Sequence, residues 1–149
     1  MDWKLELVVV PVTDVDRAKA FYADQLGFVV DLDHVMSDEV RIVQLTPPGS
    51  GCSIMVGKGV GVASSMAPGS LQGLQICVGD IESAHAQLVE HGVECTPVRR
   101  MGANGWEDGK GDDWNSFVFF SDPDGNGWAV QESPTIRAQM LAASGAGSG

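Results

Sequence analysis

Val12-Thr13-Asp14-Val15-Asp16-Arg17-Ala18-Lys19-Ala20-Phe21-Tyr22, closed by Gly27, returns in outline as Val78-Gly79-Asp80-Ile81-Glu82-Ser83-Ala84-His85-Ala86-Gln87-Leu88, closed by Gly92. In both copies an apolar run leads to an Asp, the Asp leads to a segment with apolar residues at helical spacing, and a glycine ends it. An Asp in that place can accept a hydrogen bond from an early helical N–H, and a glycine past the last turn can take the left-handed conformation that stops a helix. The first copy sets Val15, Ala18, Tyr22 and Leu26 on one face and predicts a helix over 15–26; the second does the same with Ile81, Ala84 and Leu88.

Outward from these helices, Lys4 to Val12 and Leu71 to Val78 read as the strands that enter them. Phe28 to Asp33, Glu39 to Leu45 and Cys52 to Gly57 read as three strands after the first helix, with a Pro-Pro-Gly-Ser-Gly turn at 47–51. Val93 to Val98, Ser116 to Ser121 and Gly127 to Glu132 read as three strands after the second. Asp122-Pro123-Asp124-Gly125 has Pro and Gly where a type I turn favours them. The fold class is therefore α+β: one domain over 1–133 made of two tandem βαβββ modules, about 4–58 and 71–133, with a Gly/Ser-rich connector at 59–70 and a C-terminal tail at 134–149. Two half-sheets of this kind can close on each other, which predicts a cup-shaped, eight-stranded mixed sheet with the helices outside.

The bulk properties narrow the function classes. At 149 residues, 44% of them hydrophobic and with a mean hydropathy of +0.03, the chain fits a single globular domain with one core. Its apolar runs are too short to span a bilayer and its first residues lack a secretion signal, so no membrane partner and a cytoplasmic location are expected. Nine basic against twenty acidic residues give a formal charge of −11, which repels nucleic-acid phosphates. Cys52, Cys77 and Cys95 are odd in number and without CxxC spacing, and read as buried reduced thiols. The stretch from Arg99 to Asn115, with Gly102, Gly105, Gly109, Gly111, Trp106 and Trp114, reads as a candidate lid, since two tryptophans suit a loop that covers something.

The duplicated plan, the Val-x-Asp-Val-Asp-Arg-Ala-x-x-Phe-Tyr helix entry with Leu26-Gly27-Phe28 after it, and Asp122-Pro123-Asp124-Gly125-Asn126 before the last strand together resemble the vicinal oxygen chelate superfamily: glyoxalase I, extradiol dioxygenases, fosfomycin-resistance enzymes and bleomycin-resistance proteins. The resemblance covers roughly residues 4–133 and implies the cup. It also implies a divalent ion held in many members by His, Glu or Gln from four strands. Carried over one by one, those four places fall on Leu7, Met55, Gly73 and Ala129. A thioether is a soft ligand and the other three residues offer no donor, so no metal and no cofactor are expected. His85 and His91 lie on or after the second helix and His34 stands alone in a strand, and single histidines do not make a metal site.

With the same inward face carrying Leu5, Val9, Ser53, Gln75, Cys77 and Gln131 beside those four positions, the cup is expected to be apolar with a few amides, lined or covered by Trp106, Trp114 and Trp128, with Arg41 or Gln44 as a polar anchor. This predicts a binding protein for a small aromatic or cationic molecule, with Glu107, Asp108, Asp112 and Asp113 attracting a cation. A filled core is the competing reading of Leu7 and Met55. The alternative function is an enzyme of the superfamily, a lyase, isomerase or dioxygenase, with relocated metal ligands or with metal-free catalysis by His34 or Cys77. Members of the superfamily commonly pair two chains, so a homodimer is expected, with Trp3, Phe21 and Tyr22 as candidate surface residues.

Overall fold

The structure, a computed structural model, describes residues 1–146. The chain divides into two compact units. The first holds Met1–Gln72 together with Ser121–Asn126, and the second holds Gly73–Phe120 with the chain from Gly127 on. It is a mixed α+β fold with one sheet of four strands and one of five.

In the first unit, β1 (Leu7–Val9) leads to α1 (Val15–Ala20), and Asp14 caps α1 by accepting from the Arg17 N–H at 3.0 Å. The helix continues as a single π-helical turn over Phe21–Gln25 and stops at Gly27, whose φ of 77° is the left-handed conformation expected of it. Val15, Ala18, Phe21 and Tyr22 are buried. Phe21 and Tyr22 are thus core residues rather than surface ones, because the π turn brings both rings inward, edge to face at 5.1 Å. Three strands follow: β2 (Val29–Ser37), β3 (Val40–Thr46) and β4 (Ser53–Lys58), in the order β1-β4-β3-β2. β1 runs parallel to β4 and the other pairs are antiparallel. β2 lies at the sheet edge, exposed along its length. A short α2 (Gly61–Ser65) occupies the expected connector.

The turn at 121–126 belongs to this first unit and carries its buried polar centre. Asp122 Oδ2 accepts from the Tyr22 hydroxyl and from Asn126 Nδ2, each at 2.7 Å. Asn126 Nδ2 also donates to the Pro11 carbonyl at 2.8 Å, and Asn126 Oδ1 accepts from the Leu71 N–H at 3.1 Å. Asn126 and Tyr22 are fully buried, and burial without partners would be costly, so this closed set of bonds fixes where the turn sits.

The second unit repeats the plan. β5 (Leu74–Val78) leads to α3 (Ile81–Glu90), capped by Asp80 and stopped at Gly92 with φ 76°. Then come β6 (Arg99–Gly102), β7 (Gly105–Asp108), β8 (Phe117–Ser121) and β9 (Gly127–Glu132), in the order β5-β9-β8-β6-β7, with β5 parallel to β9. The expected strand over 93–98 reduces to one bridge between Cys95 and Phe120; Pro97, which has no N–H to give a ladder, lies inside it. The expected lid is instead half sheet, since 99–108 forms the β6/β7 hairpin, turned at Ala103-Asn104 with Gly105 opening β7 at φ 113°. The tail forms α4 (Pro134–Ala146), and Gly79 lies so close to it that a Cβ there would meet the Met140 sulfur. No helix among the described residues is long and apolar enough to cross a membrane.

Candidate functional site

Each sheet has a buried face and a more open one, and strand alternation sorts the candidate residues between them. In the first unit, Leu7 pairs with Ser53, Val9 with Met55, and Met55 with Gln44. These five share a face, opposite the one that buries Val43, Leu45, Ile54 and Val56. Leu7 is 36% exposed and Met55 half-buried, so this is an accessible aliphatic surface and not a filled interior. It also carries a short polar chain that the sequence did not suggest. Thr46 Oγ1 contacts Ser53 Oγ at 2.6 Å and donates to the Asp31 carboxylate, with Asp31 sitting in the bulge of β2.

Arg41 is not on this face. It precedes Ile42 in β3, so its side chain has the parity of Val43 and Leu45, where it binds Asp33 through Nε at 3.0 Å and NH2 at 2.8 Å, and Asp16 through NH1 at 2.6 Å. That fork, with the Lys19 ammonium 2.7 Å from the same Asp33, holds the Asp33 carboxyl far below the usual carboxylate range and pushes the Arg41 guanidinium up. Arg41 is an ion-pair residue on the helix side of the sheet, not an anchor for a ligand.

In the second unit, Gln75 pairs with Ala129 and Cys77 with Gln131. These four share the open face, while Trp128, 4% exposed, stacks on Phe120 at 6.0 Å on the other. The expectation that Trp128 joins Ala129 and Gln131 in lining one surface is therefore corrected: adjacent residues of a strand point to opposite faces, and Trp128 is core. By the same alternation Phe117 and Phe119, on the face away from Phe120, join Ala129 and Gln131. They stack on each other at 6.0 Å, and Trp106 of β7 sets its edge against both, at 5.3 and 5.1 Å. Trp106 keeps 45% of its surface exposed. Gly73 lies just before β5 with φ 84°, beside this face and outside the ladder.

A second hydrogen-bond chain crosses this face. Gln131 Nε2 donates to the Trp114 carbonyl at 2.8 Å, and Gln131 Oε1 accepts from Gln75 Nε2 at 2.6 Å, with the Cys77 thiol 3.8 Å from the same oxygen. Cys77 is exposed, so the expected set of three buried thiols does not hold; burial pushes up the pKa of Cys95. Trp114 is the one non-glycine residue among those described with positive φ, at 63°, a conformation disfavoured for a bulky side chain. Its neighbour Asn115 pins the same loop, accepting from the Met101 N–H at 2.8 Å and donating to the Met101 carbonyl at 3.0 Å.

The loop acids divide. Glu107 pairs with Arg100 at 3.2 Å and Asp108 with Arg99 at 3.4 Å, so these two are already matched by cations. Asp112 and Asp113 edge an open depression of about 500 Å³ that also contains Lys110, Glu132 and Arg137, with Glu132 between the two cations. Both of its cations are engaged by Glu132, and its lining holds no aromatic residue.

On the first open face Leu7 and Met55 lie beside the Ser53–Thr46–Asp31 chain, and on the second Ala129 lies beside Gln75, Gln131 and the Cys77 thiol, with Gly73 just outside the ladder. Among the described residues no three His, Cys, Asp or Glu side chains converge.

The sequence pattern of the family described as Glyoxalase/Bleomycin resistance protein/Dioxygenase superfamily matches residues 4–130. TnmS3, described as an antibiotic binding protein of Streptomyces sp. CB03234, is 30% identical, with 89% of this chain aligned to 97% of its own and a TM-score of 0.69. A glyoxalase/bleomycin resistance protein of the same Streptomyces is 31% identical over 86% of this chain and 99% of its own, with a TM-score of 0.66. The Bacillus subtilis protein YetH, itself uncharacterised, is 27% identical over 132 residues, 84% of this chain and 94% of its own.

Proposed function

This chain belongs to the glyoxalase/bleomycin resistance protein/dioxygenase superfamily, and from that premise we propose that it binds a small, flat organic molecule without a divalent metal, holding the molecule rather than transforming it. The observation that carries this reading is the aromatic platform of Trp106, Phe117 and Phe119 on the open face of the second sheet, with Ala129 as a low floor beside it. Aromatic side chains offer rigid area for stacking, and a half-exposed tryptophan braced by two phenylalanines has its stacking direction set before a ligand arrives. β9 lies between β5 and β8, so Gln75 and the two phenylalanines are about 10 Å apart at the usual strand spacing, a span that suits a fused aromatic system lying over Ala129.

Two further observations support it. The residues at the family's metal-holding positions lack oxygen and nitrogen donors. A relative 30% identical over nearly the whole chain is described as binding an antibiotic, which is a chemistry of the same kind. The test is tryptophan fluorescence and calorimetric titration with planar aromatic antibiotics, using wild type and Trp106→Ala. Saturable binding to wild type, weakened about fivefold or more in Trp106→Ala, is expected, since loss of one stacked aromatic costs about 1–3 kcal/mol. Tight, stoichiometric Ni, Mn, Fe or Zn in protein purified without chelators would overturn the metal-free part.

A further inference from the structure

We propose that the open face of the second sheet selects its ligand by the ligand's hydrogen-bond donors, so that the molecule bound is a hydroxylated aromatic. The proposal rests on the binding reading above and deepens it. It follows from a chain of bonds whose direction cannot be reversed. The Trp114 carbonyl can only accept, so the amide atom of Gln131 lying 2.8 Å from it must be Nε2. Gln131 Oε1 then lies 2.6 Å from Gln75, and two amide oxygens cannot share a hydrogen bond, so Gln75 offers Nε2. Gln75 Oε1 is left as the terminal acceptor of the chain, on an exposed side chain directly across from Ala129.

The anchor at the far end is firm. Trp114 sits at φ 63° and Asn115 clasps Met101 through both its amide atoms, so the carbonyl that sets the direction is fixed in place. A conformation this unfavourable for tryptophan persists only where its surroundings hold it, and the Gln131 amide is one of the groups that do so. The face therefore presents an acceptor next to its aromatic platform. A ligand hydroxyl at the rim can donate to Gln75 Oε1, whereas a ligand with only carbonyl or ether oxygens can reach no more than the second hydrogen of Gln75 Nε2 and leaves Oε1 unmet.

Glu107, which neighbours Trp106 in β7, and Asp108 each pair with an arginine, so β7 itself adds no surplus negative charge to the platform.

The experiment is calorimetric titration with 2-naphthol and 2-methoxynaphthalene, which share their rings and differ in the donor. Wild type should bind 2-naphthol about tenfold more tightly, the usual scale of one net hydrogen bond. In Gln75→Met the preference should fall to within about twofold while both probes still bind saturably, which a general loss of structure would not produce. Gln131→Met, which frees Gln75 to rotate, should lose the preference as well. Equal affinity of wild type for the two probes, or an undiminished preference in Gln75→Met, overturns this inference and leaves the binding reading intact. Failure of wild type to bind either probe or any planar aromatic antibiotic overturns both.

Discussion

The two units carry the same kind of helix entry and yet differ on their open faces. Asp14 caps α1 with φ −128° and ψ 109°, and Asp80 caps α3 with φ −145° and ψ 107°. Gly27 and Gly92 end those helices at φ 77° and 76°. The strand entering each helix runs parallel to the last strand of its own sheet. Against that constancy, the first unit exposes Leu7, Val9 and Met55 around a Ser–Thr–Asp chain, and the second exposes a Trp–Phe–Phe cluster around an amide chain. What the two copies share is what makes the helices start, stop and pack; what they do not share is what a ligand would touch. Recognition is to be sought where the halves disagree.

The sharpest break between the halves is the polar centre at Asn126, for which the described residues of the second unit show no equivalent. Asn126→Ala leaves the part-buried Leu71 N–H without its acceptor, takes one of two donors from the buried Pro11 carbonyl, which keeps the Gly69 N–H, and takes one donor from Asp122. The expected loss is about 3 kcal/mol or more, read by urea denaturation. A cost below about 1 kcal/mol would mean that the turn is not what closes the first unit.

Thr46→Val comes next. It removes the donor to Asp31 and the acceptor of Ser53 at once, and should cost about 1–2 kcal/mol in the same assay. The two caps give a finer comparison. Asp80 accepts from both the Glu82 and Ser83 N–H groups at 3.1 Å, whereas Asp14 accepts from Arg17 alone, so Asp80→Ala should cost more than Asp14→Ala, with both near 1 kcal/mol.

The Asp80 cap also predicts a pH dependence. Its carboxyl is held below its ordinary value, chiefly by the Ser83 N–H. A carboxyl depressed in the folded state contributes stability that is complete above its unfolded pKa of about 3.9 and is lost as pH falls through the lower, folded value. Asp80→Ala should therefore narrow its deficit against wild type on acidification below about pH 4, measured by denaturation at stepped pH. The smallest effect tests the symmetry itself. Gly27→Ala and Gly92→Ala should each cost about 1 kcal/mol, equal within error, because both place a Cβ in the same left-handed conformation.

The parts of this fold that lie in short-range chemistry are readable from the chain. Asp14, Asp80, Gly27, Gly92 and the Asp122-Pro123-Asp124-Gly125 turn all do locally what their residue types dispose them to do. Register is where reading fails. Arg41 and Trp128 were assigned to the ligand-facing side, but which face a strand residue occupies depends on its partner strand, and a shift of one residue reverses it. Phe117 and Phe119 alternate with Val118 and Phe120, so the sequence offers two equivalent pairs; only the stacking of Phe120 on Trp128 decides which pair is open. The β6/β7 hairpin did leave a signal in Asn104-Gly105, masked by the glycines around it. The left-handed Trp114 left none, because nothing local favours it and a side chain 17 positions away helps to hold it.

Residues 121–126 lie between two strands of the second sheet and yet complete the first unit. A ribosome making this chain emits β1, α1 and the whole first sheet long before Asp122 and Asn126 exist, and until then the Tyr22 hydroxyl and the Pro11 carbonyl lack these partners. The N-terminal half cannot mature as it emerges. Nascent chains halted before Ser121 should remain open to protease in the first unit, and a gene cut at the connector should yield a fragment that cannot finish its own interior.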